Sequence, residues 1–161
     1  SKAVASGNGR VVVVGNNTSA MEIAYFAHNA VSSTYVGAIA HGSTHTPAAA
    51  AYGNDTWVVL TSDFRVVTCT SGGESSIGNW SSVSAAKAAS ITIDDVIYDE
   101  GSDGANGFGF VAIGQDGSGD GVVYTSPDGD TWTLRHTTAL ATATDATGVA
   151  GKNELDGTDL D

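Results

Sequence analysis

An all-β fold built from a repeated four-stranded antiparallel unit is predicted by three observations. Glycine is abundant and proline scarce, 21 against 2, and only 15% of the residues are charged, a profile of short strands and many turns. Short apolar runs rich in β-formers recur, each bounded by glycine and polar turn residues. The same succession of turn, apolar run and turn is written three times, and self-similarity at a fixed period is the signature of a repeat architecture.

The copies align residue by residue. Gly7-Asn8-Gly9-Arg10 leads into VVVVGNN at 11–17, Gly53-Asn54-Asp55-Thr56 into WVVLTSD at 57–63, and Asn106-Gly107-Phe108-Gly109 into FVAIGQD at 110–116. A strand precedes each run, mostly of small residues: Lys2-Ala3-Val4-Ala5-Ser6-Gly7, Ala49-Ala50-Ala51-Tyr52-Gly53 and, with a longer loop after it, Ile93-Asp94-Asp95-Val96-Ile97-Tyr98. A third strand follows (22–26, 65–71, 122–126), and then an aromatic residue, Tyr35, Trp80 or Trp132, ahead of a fourth strand. From Val11 to Trp57 is 46 positions and from Trp57 to Phe110 is 53, close to the roughly 40–50 residues of a four-stranded propeller blade. The expected division is blade 1 at 1–48, blade 2 at 49–90 and blade 3 at 91–146. Residues 147–161 then form the start of a further blade, signalled by Thr147-Gly148-Val149-Ala150-Gly151-Lys152, or an acidic tail. Polar segments at 40–47, 81–90 and 136–145 read as connectors. Three blades do not close a ring, so a piece of a longer propeller, or a subunit of an assembly, is expected.

The most legible copy is 107–134, GFGFVAIGQDGSGDGVVYTSPDGDTWTL. In Ser126-Pro127-Asp128-Gly129-Asp130-Thr131-Trp132, Pro127 presets φ, Asp128 can bond the amides ahead of it and Gly129 tolerates positive φ, so the chain reverses into a strand. This segment resembles the Asp-box, or BNR repeat, of sialidase-like β-propellers, with pattern Ser/Thr-x-Asp-(x)-Gly-x-Thr-Trp. The resemblance implies a propeller fold and a structural role for Ser126, Asp128, Gly129, Thr131 and Trp132. In that family the box stabilises a hairpin away from the active site, so it implies nothing about catalysis.

Composition bounds the function. The net charge is -12, with 18 acidic and 6 basic residues, and the basic ones are scattered, which argues against nucleic acid and against an anionic membrane surface. No apolar run approaches the ~20 residues of a membrane helix. Scarce lysine with abundant aspartate suits a salty setting and also aids solubility. Cys69 has no partner for an intrachain disulfide and, between Thr68 and Thr70 in a strand pattern, reads as a small core residue.

Candidate chemistry is thin. Asp116-Gly117-Ser118-Gly119-Asp120-Gly121 matches the opening of a calcium loop, with Asp116, Ser118 and Asp120 as ligands, but Pro127 occupies the position of the bidentate glutamate. Calcium is the one cofactor this pattern suggests; 99–104 is a poorer version. His41 and His45 share the spacing of zinc histidines, yet glycine and proline nearby forbid the helix that such a pair requires. The arginine cluster, tyrosine nucleophile and paired acid of a sialidase are not found, nor are GxSxG or phosphate-loop signatures. The expected function is therefore a non-catalytic structural or recognition module of a virion (a phage tail or capsid surface) or an extracellular assembly. Its style resembles that of marine phage structural proteins. Contacts to neighbouring subunits or a host glycan are assigned to loops at 43–46, 99–104 and 116–120, including Ser43, Thr44, His45 and Asp103. The alternative is a fragment of a glycan-processing enzyme whose catalytic residues lie outside this chain.

Overall fold

The valine-rich runs become the second strands of three antiparallel sheets, because alternate residues of each run bury against different neighbours. A computed structural model describes residues 2–27, 32–40, 45–101 and 108–138. Sheet 1 contains β1 (Ala3–Gly7), β2 (Arg10–Asn16), β3 (Ala20–Ala27) and β4 (Thr34–Ala40) in sequence order. Sheet 2 contains β5 (Pro47–Gly53), β6 (Thr56–Thr61) and β7 (Val66–Thr70). Sheet 3 contains β8 (Thr92–Asp99), β9 (Gly109–Gln115), β10 (Gly121–Ser126) and β11 (Thr133–Thr138).

The pairing registers make the three sheets equivalent. Val12, Val58 and Val111 pair respectively with Ala5, Ala51 and Ile97 on one side and with Tyr25, Thr68 and Thr125 on the other. Even the irregularities repeat: a register shift between Ile23 and Ala24 in sheet 1 has its counterpart between Val123 and Tyr124 in sheet 3. The first hairpins of sheets 1 and 2 both turn on two positive-φ residues, Asn8 (44°) and Gly9 (69°), Asn54 (45°) and Asp55 (54°), the conformation that suits the twist of a two-residue hairpin.

Consecutive sheets bury two cores. Ala3, Ala5, Val12, Val14, Met21 and Ile23 of sheet 1 meet Trp57, Val59, Val67 and Cys69 of sheet 2. The other face of sheet 2, with Ala49, Ala51, Val58, Leu60 and Val66, meets Val96, Phe110, Ala112, Val122 and Tyr124 of sheet 3. The sheets come closest at their first strands, β1 against β5 and β5 against β8, where small alanines let the backbones approach.

Two expectations need correction. Among the described residues, sheet 2 has three strands, not four. After Trp80 the chain runs along the edge of β7, but its bonds to Phe64, Val66 and Thr68 come from Lys87, Ser84 and Ser81, a step of three residues against a step of two. A ladder cannot keep that pace, so the Ser81 and Ser84 hydroxyls accept the amides of Thr68 and Val66 instead, at 2.9 and 3.0 Å. Second, β11 continues to Thr138, so the segment at 136–145 does not begin as a connector. The expected further blade or acidic tail at 147–161 lies outside the described residues.

Candidate functional site

The hairpin between β10 and β11 is the most organised of the candidate segments. Asp128 Oδ1 accepts the amides of Asp130 (2.9 Å) and Thr131 (2.7 Å) and the hydroxyl of Ser126 (3.0 Å). The Gly129 amide donates to Ser126 Oγ at 2.8 Å, and Trp132 Nε1 closes the turn on the Gly129 carbonyl at 3.1 Å. Burial pushes the Asp128 carboxyl up, but the amide and hydroxyl bonds outweigh it and hold the group at about 2. Gly129 has φ 80°, and a Cβ there would stand 2.4 Å from Val58 Cγ2, so the turn lies directly on sheet 2. Trp132 meets Phe64 edge-on, with ring centroids 5.6 Å apart, and Lys87 Nζ reaches Asp130 Oδ1 at 2.6 Å. All five motif residues thus serve one turn and its seat on the neighbouring sheet.

Trp80 plays a comparable role at the preceding junction. It is buried in the core between sheets 1 and 2 and donates to the Glu74 carbonyl at 3.3 Å. Nearby, the fully buried Glu74 carboxylate takes Arg10 Nε at 2.9 Å, an ion pair joining sheet 1 to the segment after β7. Tyr35 is not a third member of this series: Ala24 pairs with Tyr35 as Tyr124 pairs with Leu134, so it stands two residues beyond the tryptophan position.

The loop at 116–120 bonds itself. Asp116 Oδ1 accepts the amides of Ser118 (2.8 Å) and Asp120 (3.0 Å), and Gly119 takes φ 84° to close the turn. The repeat register puts Asn17 and Asp63 at the same position. Asn17 accepts the amides of Ser19 and Ala20, and Asp63 accepts the Thr61 hydroxyl at 2.7 Å, so each shapes its own hairpin. Among the described residues, no three His, Cys, Asp or Glu side chains gather where they could hold a metal ion.

His45 is engaged by its neighbours rather than open to solvent. Its Nδ1 lies 2.7 Å from Asp63 Oδ2, which also accepts Arg65 Nε at 2.7 Å. Burial pushes Asp63 up, but its bonds from Arg65 and Thr61 and the charges of His45 and Arg65 leave it below the ordinary carboxylate value. Ser43, Thr44, His41 and Asp103 lie outside the described residues. Cys69 is buried, and burial, followed by the Glu74 charge, pushes its thiol up to about 11, far from a reactive thiolate.

The three loops assigned to contacts do not share one end of the sheets. His45 and the 116–120 turn stand at the ends where β2, β6 and β9 finish, joined there by bonds from Ser62 to Thr46 and from Ile93 to Ser62. Asp99 stands at the opposite end, where β8 finishes, and caps its own loop by accepting the Gly101 amide. Six or seven residues of strand, about 20 Å, separate the two ends.

Tyr52 and Tyr98 are residues whose importance sequence patterns did not reveal. The Tyr52 ring of sheet 2 covers Gly7 of sheet 1, where an added Cβ would lie 2.0 Å from it, and the Tyr98 ring of sheet 3 covers Gly53 of sheet 2, at 1.9 Å. Each tyrosine also pairs with the first aromatic of the next strand, Tyr52 with Trp57 (centroids 4.5 Å) and Tyr98 with Phe110 (4.9 Å). The available signal was the dipeptide Tyr52-Gly53 aligned with Ser6-Gly7 and Tyr98-Asp99.

No known family model matches the chain, and no curated protein matches it significantly.

Proposed function

We propose that the chain is a propeller-like module acting by binding, without turnover, in a virion-surface or extracellular assembly. The supporting observation is where its polar side chains are used. Asp128, Asp116 and Asp63 shape turns, His45 and Arg65 pair with Asp63, and Arg10 with Glu74 ties sheet 1 to the segment after β7. Acid, base or nucleophile chemistry needs groups converging on one reacting atom, whereas recognition through turns and edges needs only a stable frame. Three sheets in one register, closest at their first strands, favour consecutive blades around an axis. The Asp-box resemblance points the same way. Neighbouring subunits or a host surface glycan are the partners this reading assigns to the loop ends.

Incubation of the purified protein with sialosides and host-type polysaccharides tests the reading. Retention of a glycan or a subunit with no released sugar is the expected result. Sugar release abolished by changing a single residue of this chain would establish the enzyme alternative instead.

A further inference from the structure

We propose that copies of this chain join head to tail, the outer face of sheet 3 in one copy covering the outer face of sheet 1 in the next. This deepens the assembly reading by naming the partner as a second copy. The repeat register is the basis. Val4 is equivalent to Ala50 and Val96, Val11 to Trp57 and Phe110, and Val13 to Val59 and Ala112. In sheets 2 and 3 these positions pack on the preceding sheet: Trp57 is 1% exposed, Phe110 0% and Val96 3%. In sheet 1, no sheet among the described residues packs on them, and Val4 is 62% exposed. Val4, Val13, Ala24 and Tyr35 form one row across that sheet, beside Val11 and Phe26, and none of the six belongs to either core.

The complementary surface is on sheet 3. Ile97, Val111, Ile113 and Val123 are equivalent to Ala5, Val12, Val14 and Ile23, the residues with which sheet 1 covers sheet 2. None of the four lies in the two clusters between sheets; Ile97, Val111 and Val123 are half-buried and Ile113 is buried.

The joint itself shows matched changes. Within the chain, each junction sets a tyrosine of the following sheet on a glycine of the preceding one, Tyr52 on Gly7 and Tyr98 on Gly53. At the two outer faces both members differ: the glycine position of sheet 3 is Asp99, and the tyrosine position of sheet 1 is Ser6, which is exposed. A tyrosine opposite Asp99 would meet its Cβ, as it would at Gly7 or Gly53 if either were alanine. A serine fits, and its hydroxyl can donate to the carboxylate. Asp95, at the position of Ala3 and Ala49, makes this joint more polar than the internal ones and suits it to reversible association. Such a heterologous contact closes a ring if its rotation closes and otherwise builds a filament.

Sedimentation velocity over a concentration series tests the proposal, with circular dichroism and thermal unfolding confirming that each variant is folded. The unmodified chain is expected to self-associate with rising concentration, and Val4→Glu to remain monomeric with its fold intact. Ser6→Tyr should weaken association at least tenfold, and Ser6→Tyr with Asp99→Gly should restore it by recreating the internal joint. A chain monomeric at every concentration, association indifferent to Val4→Glu, or a double variant no better than Ser6→Tyr would each overturn the proposal. None of these outcomes bears on sugar release, so this contact and the non-catalytic reading fail independently.

Discussion

Single residues in this chain act mainly by satisfying backbone groups that a turn would otherwise leave unpaired. Asp128 is the best developed case, since one carboxylate oxygen accepts two amides and a hydroxyl. Its replacement by alanine is expected to cost about 1 kcal/mol, a modest value because the carboxylate is exposed and water screens part of the gain. The pH dependence has a definite sign. A carboxyl held at about 2 in the folded chain, against an ordinary 3.8, contributes stability that is present above pH 4 and is lost as pH falls toward 2. Urea titrations across that window should show Asp128→Ala flatter in pH than the parent. Trp132→Ala removes a large ring from contact with Phe64 and is expected to cost about 3 kcal/mol, so the two substitutions should differ clearly in the same titration. The turn bonds of Ser126 and Asp128 and the positive φ of Gly129 were legible because turn chemistry is local. That Trp132 meets Phe64 was not, because Phe64 sits at φ 53°, in a turn at 61–65 with no marker for a positive-φ phenylalanine.

At the scale of elements, the second strand of each sheet was legible in its apolar run, most fully in β6, whose two faces are both covered and which shows as continuous hydrophobicity. The missing fourth strand of sheet 2 was not legible. Serines spaced by three can border a strand only through their hydroxyls, and no propensity scale distinguishes that from an ordinary connector. Ser81→Ala and Ser84→Ala leave the amides of Thr68 and Val66 without those acceptors, and each is expected to cost about 1 kcal/mol. Hydrogen exchange at those two amides should accelerate while the amides shared by β5 and β6 stay protected. Unchanged exchange at Thr68 and Val66 would mean that the serine hydroxyls do not hold this edge. The segment at 116–120 follows the repeat: Asp116 sits where Asn17 and Asp63 sit, and like them it shapes its own turn.

Across the whole molecule, consecutive sheets stack through one repeated joint, a tyrosine ring laid on a glycine. The repeat period was visible in the sequence, but the joint was not, because it pairs residues 45 positions apart, Gly7 with Tyr52 and Gly53 with Tyr98. Neither glycine requires positive φ, so each is there for space rather than for backbone freedom. The most direct test is a double-mutant cycle on Gly53 and Tyr98, followed by urea unfolding. Gly53→Ala should destabilise by about 2 kcal/mol through overpacking against the ring. In a Tyr98→Ala background, where the ring is gone, the same substitution should be nearly neutral, giving a coupling energy of about 1.5 kcal/mol or more. Additive effects, with Gly53→Ala costing the same whether or not Tyr98 is present, would contradict the stacking of sheet 3 on sheet 2 in this register.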